Sequence, residues 1–276
     1  PTGEMHLGNA YSALTAFDWA RRQKARFLLR IEDIDSARCR PQHEQALLED
    51  LAWLGLEWDA PVRRQSDHLN DYAAALSRLE SMNVLYRCFR TRKEVAAASL
   101  SAPHDAAGLP APARIGADEE AERLARGDAF AWRLSLAAAR ERLGPAWNGL
   151  AFEERGRGPQ GEHGRISARP EALGDVVLGR KDAPASYHVA VVHDDALQGV
   201  SDVIRGEDLF ASTSLHVLLQ ALLGLPTPTY RHHPLLRDAS GRRLAKREGA
   251  PTLASLRRRG VAAAEIRRLV GLPANA

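Results

Sequence analysis

The chain has 276 residues, a net charge of +3 and a pI near 9.1. That length suits one elaborated domain or two small ones with a real apolar core, and the slight basic excess permits nucleic-acid binding without specifying it. No apolar run approaches a membrane span, no secretory signal precedes the first motif, and two cysteines, Cys39 and Cys88, make no disulfide framework, so a reducing cytoplasm is the expected compartment.

The first motif, PTGEMHLGNAY, starts at Pro1, so a strand and part of a loop are expected upstream. Leu7 to Gln23 reads as a helix and Arg26 to Ile31 (RFLLRI) as a buried strand. Pro41 suits a first helical position, Ala46, Leu47, Asp50, Leu51 and Leu54 have helical spacing, and Gly55 ends that helix. Asp71 to Ser81 is a further helix, followed by a strand at Leu85-Tyr86. Ser101 to Pro112 and Glu154 to Pro170 read as loops, the first rich in Ala and Pro, the second in Gly and charge. Between them a helix is expected at Asp118 to Arg126 and a strand at Ala129 to Leu136. His188 to His193 (HVAVVH) reads as an apolar strand and Asp202 to Arg205 as a short one. Leu215, Leu218, Leu219 and Leu222 share a helix face closed by Gly224. Asp238 to Gly241 is a turn sequence. Leu253 to Leu272 is basic and helical. The alternation of strand and helix predicts a parallel sheet.

Four segments carry candidate chemistry. His6-Leu-Gly8-Asn9 falls where a loop enters a helix, whose unpaired N–H groups and positive dipole end suit phosphate. Gly8 would let a nucleotide lie against the backbone, and His6 can donate to a phosphate oxygen, although a capping histidine without a ligand would look the same. Glu32, Asp33 and Asp35 follow the strand RFLLRI, at the end of a strand where open α/β sheets bind ligands. Glu32 is the candidate for an ammonium group, with metal binding and helix capping as the alternatives for the cluster. Tyr187 precedes one expected strand, and Arg205 closes another, offering a bidentate fork to a carboxylate. His193, Asp194 and Asp195 suggest metal ligation only weakly, since no second cluster with metal spacing is evident. Arg243-Leu-Ala-Lys246-Arg247 follows a Gly-containing turn. Its cations, Lys246 above all, could stabilise charge developing on transferred phosphates, whereas most such runs are simply solvated.

Together these segments resemble class I aminoacyl-tRNA synthetases of the glutamyl type. His6 to Asn9 is similar to the family's HIGH motif and Arg243 to Arg247 to its KMSKS loop. LLRIEDID, the segment ending in HDD, and IRGEDL are similar to the glutamate-specific core. The resemblance covers most of the chain outside Arg90 to Pro170. It implies an α/β fold: a class I synthetase Rossmann-like parallel sheet with an inserted α+β subdomain and a short helical C-terminal tail. The first half of the catalytic domain would occupy 1–86, with its N-terminal strand missing, and the inserted connective subdomain 87–170. The second half would occupy 171–240, and the KMSKS-like loop and tail 241–276.

Longer members carry a helical anticodon-binding region after the KMSKS loop, but only a short tail follows Arg247 here. The resemblance is therefore to the family's short paralogues. These activate glutamate with ATP and esterify it onto queuosine at the wobble position of tRNA(Asp). It implies that His6, Gly8, Asn9, Arg243 and Lys246 contact ATP, with His6 and Lys246 catalytic and Mg²⁺ accompanying the nucleotide, and that Glu32, Tyr187 and Arg205 contact glutamate. The expected partners are glutamate and queuosine-bearing tRNA(Asp), with no membrane, and the expected state is a monomer.

Three departures stand out. A glutamate-binding arginine of the family would fall before Pro1. Many members bind zinc through Cys-x-Cys, Tyr and Cys, whereas the matching stretch here is Tyr86-Arg-Cys88-Phe-Arg90 with no third cysteine, so no zinc is expected. Arg243 and Ala245 replace a Lys and a Ser of the KMSKS loop, while Lys246 is retained. Two other functions remain open: a shortened enzyme charging the tRNA 3′ end, and a binding paralogue without catalysis.

Overall fold

The computed structural model describes residues 2–35, 38–90, 114–180, 185–237 and 251–273. The expected features at Ser101 to Pro112, at Asp238 to Gly241 and at Arg243 to Arg247 lie outside them.

Helix α1 (Leu7–Arg22) runs close to its expected bounds and leads toward β1 (Arg30–Ile31). The expected strand from Arg26 shortens to these two residues because β2 (Arg63–Arg64), its partner among the described residues, is itself that short. The pairing is parallel, with α2 (Pro41–Trp53) crossing between the two strands. Pro41 occupies the first turn of α2, and Gly55 beyond it takes φ +78, a left-handed conformation that favours glycine. Helix α3 (Leu69–Ser81) then leads into β3 (Leu85–Cys88).

The middle of the chain contributes α4 (Ala117–Ala125), β4 (Ala131–Leu134), α5 (Leu136–Leu143), β5 (Ala151–Glu154), β6 (Gly164–Ser167) and β7 (Val177–Arg180). Strands β3, β4 and β7 form an antiparallel sheet. The hairpin β5–β6 corrects the expectation of a loop from Glu154. Gly161 and Gly164 turn the chain at φ +90 and +79, and β6 alternates half-buried and exposed residues, so its glycine and charge content hid a strand. This hairpin does not join the β3–β4–β7 sheet. It pairs through β5 with β9 (Thr229–His233), which lies parallel to β8 (Asp202–Gly206), in the order β6-β5-β9-β8.

The second correction is α6 (Tyr187–Leu197), a helix where HVAVVH reads as a strand. Val189, Ala190, Val191, Val192, Asp194 and Asp195 are all buried. A helix covered on most of its surface carries no polar stripe, so its 3.6-residue period vanishes from the sequence. Helix α7 (Phe210–Leu223) is also largely buried and ends at Gly224 in the left-handed conformation. The tail forms two short helices, α8 (Leu253–Arg258) and α9 (Ala263–Leu269), parted by Gly260 at φ +76.

Among the described residues two apolar cores result. The larger joins α3, α6 and α7 to β4, β5, β7 and β9, with Tyr72, Leu134, Leu178, Leu218 and Tyr230 essentially inaccessible. The smaller joins α1 and α2 to α8 and α9 through Leu14, Leu51, Leu253 and Ile266. Each fully buried leucine contributes roughly 1.5–3 kcal/mol, so the tail helices are part of the structure that holds α1.

Candidate functional site

The C-terminal ends of β8 and β9 meet the N-terminus of α1 across a cleft of about 520 Å³. Its walls include His6, which precedes α1, Gly8 and Asn9 in the first turn of α1, Arg205 and Gly206 at the end of β8, Asp208 beyond it, and His233 at the end of β9. Sequence reasoning places four of these residues in a site, and the fold brings His6, Gly8, Asn9 and Arg205 to one cavity. Asn9 also closes the helix start, its Oδ1 accepting the His6 backbone N–H at 3.0 Å. The His6 Nδ1 is buried with no partner among the described residues. His233 fixes the cleft floor: its Nδ1–H donates to the Pro234 carbonyl at 3.0 Å, leaving Nε2 to accept from the Ser12 hydroxyl at 2.9 Å. Burial lowers the His233 pKa.

Glu32, Tyr187 and Arg205 come together electrostatically, with Arg30 and Asp195 among them. Tyr187 opens α6, and burial, then the Glu32 charge, pushes its hydroxyl up to about 12. Glu32 keeps 38% of its side chain exposed but sits recessed in the protein. Desolvation raises its carboxyl pKa despite Arg30, whose Nη2 lies 3.3 Å away. Arg30 also donates to Asp195 at 2.9 Å and to Gln198 at 3.0 Å. Burial works against its charge, but Asp195, Glu32 and Asp194 more than offset that and raise its pKa.

The other acids have structural partners. Asp33 accepts from the Ser66 backbone N–H at 2.8 Å and hydroxyl at 2.6 Å, so it caps the turn before α3 rather than the α2 helix. Asp194 is inaccessible and accepts from Arg63 at 2.9 Å, Gln65 at 3.1 Å and Tyr72 at 2.8 Å. It ties α6 to β2 and α3.

Arg205 departs from expectation. A bidentate fork toward a ligand would need two free N–H groups on one edge. Here Nε donates to His232 at 3.2 Å, Nη1 to His216 at 3.2 Å, and Nη2 to Thr213 at 2.7 Å and Leu209 O at 3.3 Å. Of five guanidinium N–H groups, these bonds leave one, on Nη1. The side chain is buried, yet no carboxylate pairs with it among the described residues. His188, His216, His232 and Glu154 around it were not identified from sequence.

No group of three His, Cys, Asp or Glu side chains converges among the described residues. Arg87 lies 4.6 Å over the Trp132 ring and 5.4 Å from the Phe130 ring, and pairs with Glu120 at 2.8 Å. Tail arginines are also partly committed: Arg257 pairs with Glu49 and Asp50, and Arg267 with Asp18. No described helix is long and apolar enough to cross a membrane.

Parallel strands ending at a nucleotide-sized cleft beside a helix N-terminus define the α/β nucleotide-binding class. The chain belongs, more narrowly, to the class I tRNA synthetases (E and Q): the model of that catalytic domain matches residues 1–124 and 160–272. Glutamyl-Q tRNA(Asp) synthetase of Rhodobacter capsulatus is 48% identical to it, over 99% of this chain and 97% of that protein. The protein of the same name from Nocardia farcinica is 42% identical, over 99% and 83%. The crystal structure of a glutamate tRNA ligase from Elizabethkingia meningosepticum, in complex with its amino acid, superposes with a TM-score of 0.69 at 25% identity. It covers 94% of this chain, which spans about half (51%) of that one.

Proposed function

We propose that the protein activates glutamate with ATP, without needing tRNA, and transfers it to the queuosine base at the wobble position of tRNA(Asp). The observation that carries this reading is Arg205: a buried cation with no carboxylate partner among the described residues, beside Tyr187 and Glu32 and opening on the cleft framed by His6, Gly8 and Asn9. A buried charge seeks an opposite one, and a glutamate carboxylate supplies it. The names of the relatives support the choice of amino acid and acceptor.

In the first step a glutamate α-carboxylate oxygen attacks the α-phosphorus of ATP and pyrophosphate leaves. The protein contributes alignment and charge stabilisation more than proton transfer. Glu32 holds the substrate ammonium, and Tyr187 and Arg205 hold a carboxylate. The N–H groups at the start of α1, with His6 and Asn9, hold phosphates, Gly8 gives the nucleotide room, and Arg243 and Lys246 oppose the developing phosphate charge. Mg²⁺ accompanying ATP would neutralise part of the phosphate charge. In the second step a hydroxyl of the queuosine cyclopentenediol attacks the adenylate carbonyl. The ester forms, AMP departs and the hydroxyl proton passes to water.

Glutamate-dependent exchange of pyrophosphate into ATP, without tRNA, tests the first step. Transfer of labelled glutamate to tRNA(Asp) with and without queuosine tests the second. Exchange with transfer only to the modified tRNA is expected. Equal charging of unmodified tRNA would instead indicate a 3′-end ligase, and no exchange with or without tRNA would indicate a binding paralogue.

A further inference from the structure

Arginine can only donate hydrogen bonds. Each imidazole nitrogen facing Arg205 must therefore be an unprotonated acceptor, which fixes both tautomers. His216 accepts at Nδ1, so its proton is on Nε2, and that N–H donates to His188 Nδ1 at 3.0 Å. His188 in turn carries its proton on Nε2. On the other side His232 accepts at Nε2, so its proton is on Nδ1 and donates to Glu154 at 2.5 Å. Glu154 is inaccessible and also accepts the backbone N–H groups of His232 at 2.9 Å and Gly156 at 2.7 Å. The hydrogen bonds run outward from Arg205 and end at the acceptors Glu154 on one side and His188 Nδ1 on the other, so five side chains are joined without a clash of like protons.

We infer that His216 and His232 are positioning residues: each presents a lone pair to Arg205, with the His232 tautomer locked from behind by Glu154 and the His216 proton directed to His188 Nδ1. They fix the guanidinium plane so that its remaining Nη1 proton and its uncompensated charge meet the amino-acid carboxylate. Because neither partner is an anion in contact with the guanidinium, its charge stays available, which favours an acid over the corresponding amide. The partners come from β5, β9, α6 and α7, and the β5–β9 pairing sets Glu154 beside His232. Thr213 and the Leu209 carbonyl hold Nη2 and complete the cradle.

This inference rests on Arg205 reading a glutamate carboxylate, and the tests separate the two claims. The first is structural and needs no activity. In ¹⁵N-histidine spectra of the full-length protein, assigned by single substitutions, His216 is expected as the Nε2–H tautomer and His232 as the Nδ1–H tautomer. The opposite tautomer at either residue overturns the proposal.

The second uses pyrophosphate exchange. His216→Leu removes the acceptor and is expected to raise the glutamate KM roughly ten- to a hundred-fold, with the ATP KM unchanged. His216→Asn, whose Oδ1 can stand where Nδ1 stood, is expected to restore most of that loss, whereas His216→Gln, which extends past it, is not. Equal KM values for the Leu and Asn variants, or a parallel rise in the ATP KM, overturn the positioning role. Arg205→Gln is run alongside. If it leaves the glutamate KM unchanged while the tautomers are as expected, the reading of Arg205 as the carboxylate site fails and the inferred hydrogen-bond arrangement does not.

Discussion

Arg267 is the sharpest test of how the tail supports the cleft. It lies on α9 and donates to both oxygens of Asp18 on α1, at 2.9 and 2.7 Å. Its side chain is 11% exposed and that of Asp18 3%. Arg267→Met keeps most of the apolar stem but leaves the Asp18 carboxylate buried without its cation. Breaking a buried pair from one side costs about 3–5 kcal/mol, because the remaining charge loses its compensation. The expected loss is about 3 kcal/mol, toward the lower end because Arg267 retains some solvent contact. Urea unfolding should therefore show a lower midpoint at unchanged slope. Asp18→Leu combined with Arg267→Met should recover much of the loss, since no charge is then stranded. A cost below about 1 kcal/mol for Arg267→Met, the range of a surface pair, would refute the claim that this ion pair anchors α1. So would a double variant no more stable than the single one.

A Cβ on Gly156 would lie 2.2 Å from the His232 carbonyl oxygen and 2.9 Å from Glu154 Oε1, so Gly156→Ala should cost about 1–3 kcal/mol by overpacking, read as a lower thermal midpoint. His188 is buried near Arg205, and burial first, then that charge, lowers its pKa from 6.5 to about 4. The unfolded chain therefore binds more protons between these values, and stability should fall as pH drops from about 6.5 to about 4. His188→Asn should show a shallower fall in urea titrations across that window, and identical profiles would contradict the assignment. Lys246→Ala should slow glutamate-dependent pyrophosphate exchange by about a hundred-fold or more with little change in glutamate KM; an unchanged rate removes Lys246 from the mechanism.

The local signals that survived folding were those with a strong chemical or periodic cause. Pro41 began α2, Gly224 ended α7, and Leu215, Leu218, Leu219 and Leu222 lay on α7 as their helical spacing predicts. His6 to Asn9 was legible as the place where a loop enters a helix, whereas the Asn9 cap on the His6 N–H emerged only in the fold. Arg205 was legible as a strand-end cation.

The tertiary structure decided the rest. Helix α6 was hidden because burial on most sides erased its polar face. The β5–β6 hairpin was hidden by the glycines that turn it, and its membership of the β8–β9 sheet depends on a pairing between Glu154 and Tyr230, far apart in sequence. Arg205 provides the contrast within one residue. Its sequence neighbours suggested a fork open to ligand, but His216, His232, Thr213 and the Leu209 carbonyl occupy most of that fork. Sequence determined where the cation stands on its strand; only packing decided which of its protons remain for a substrate, because hydrogen-bond partners are chosen by distance in space and not along the chain.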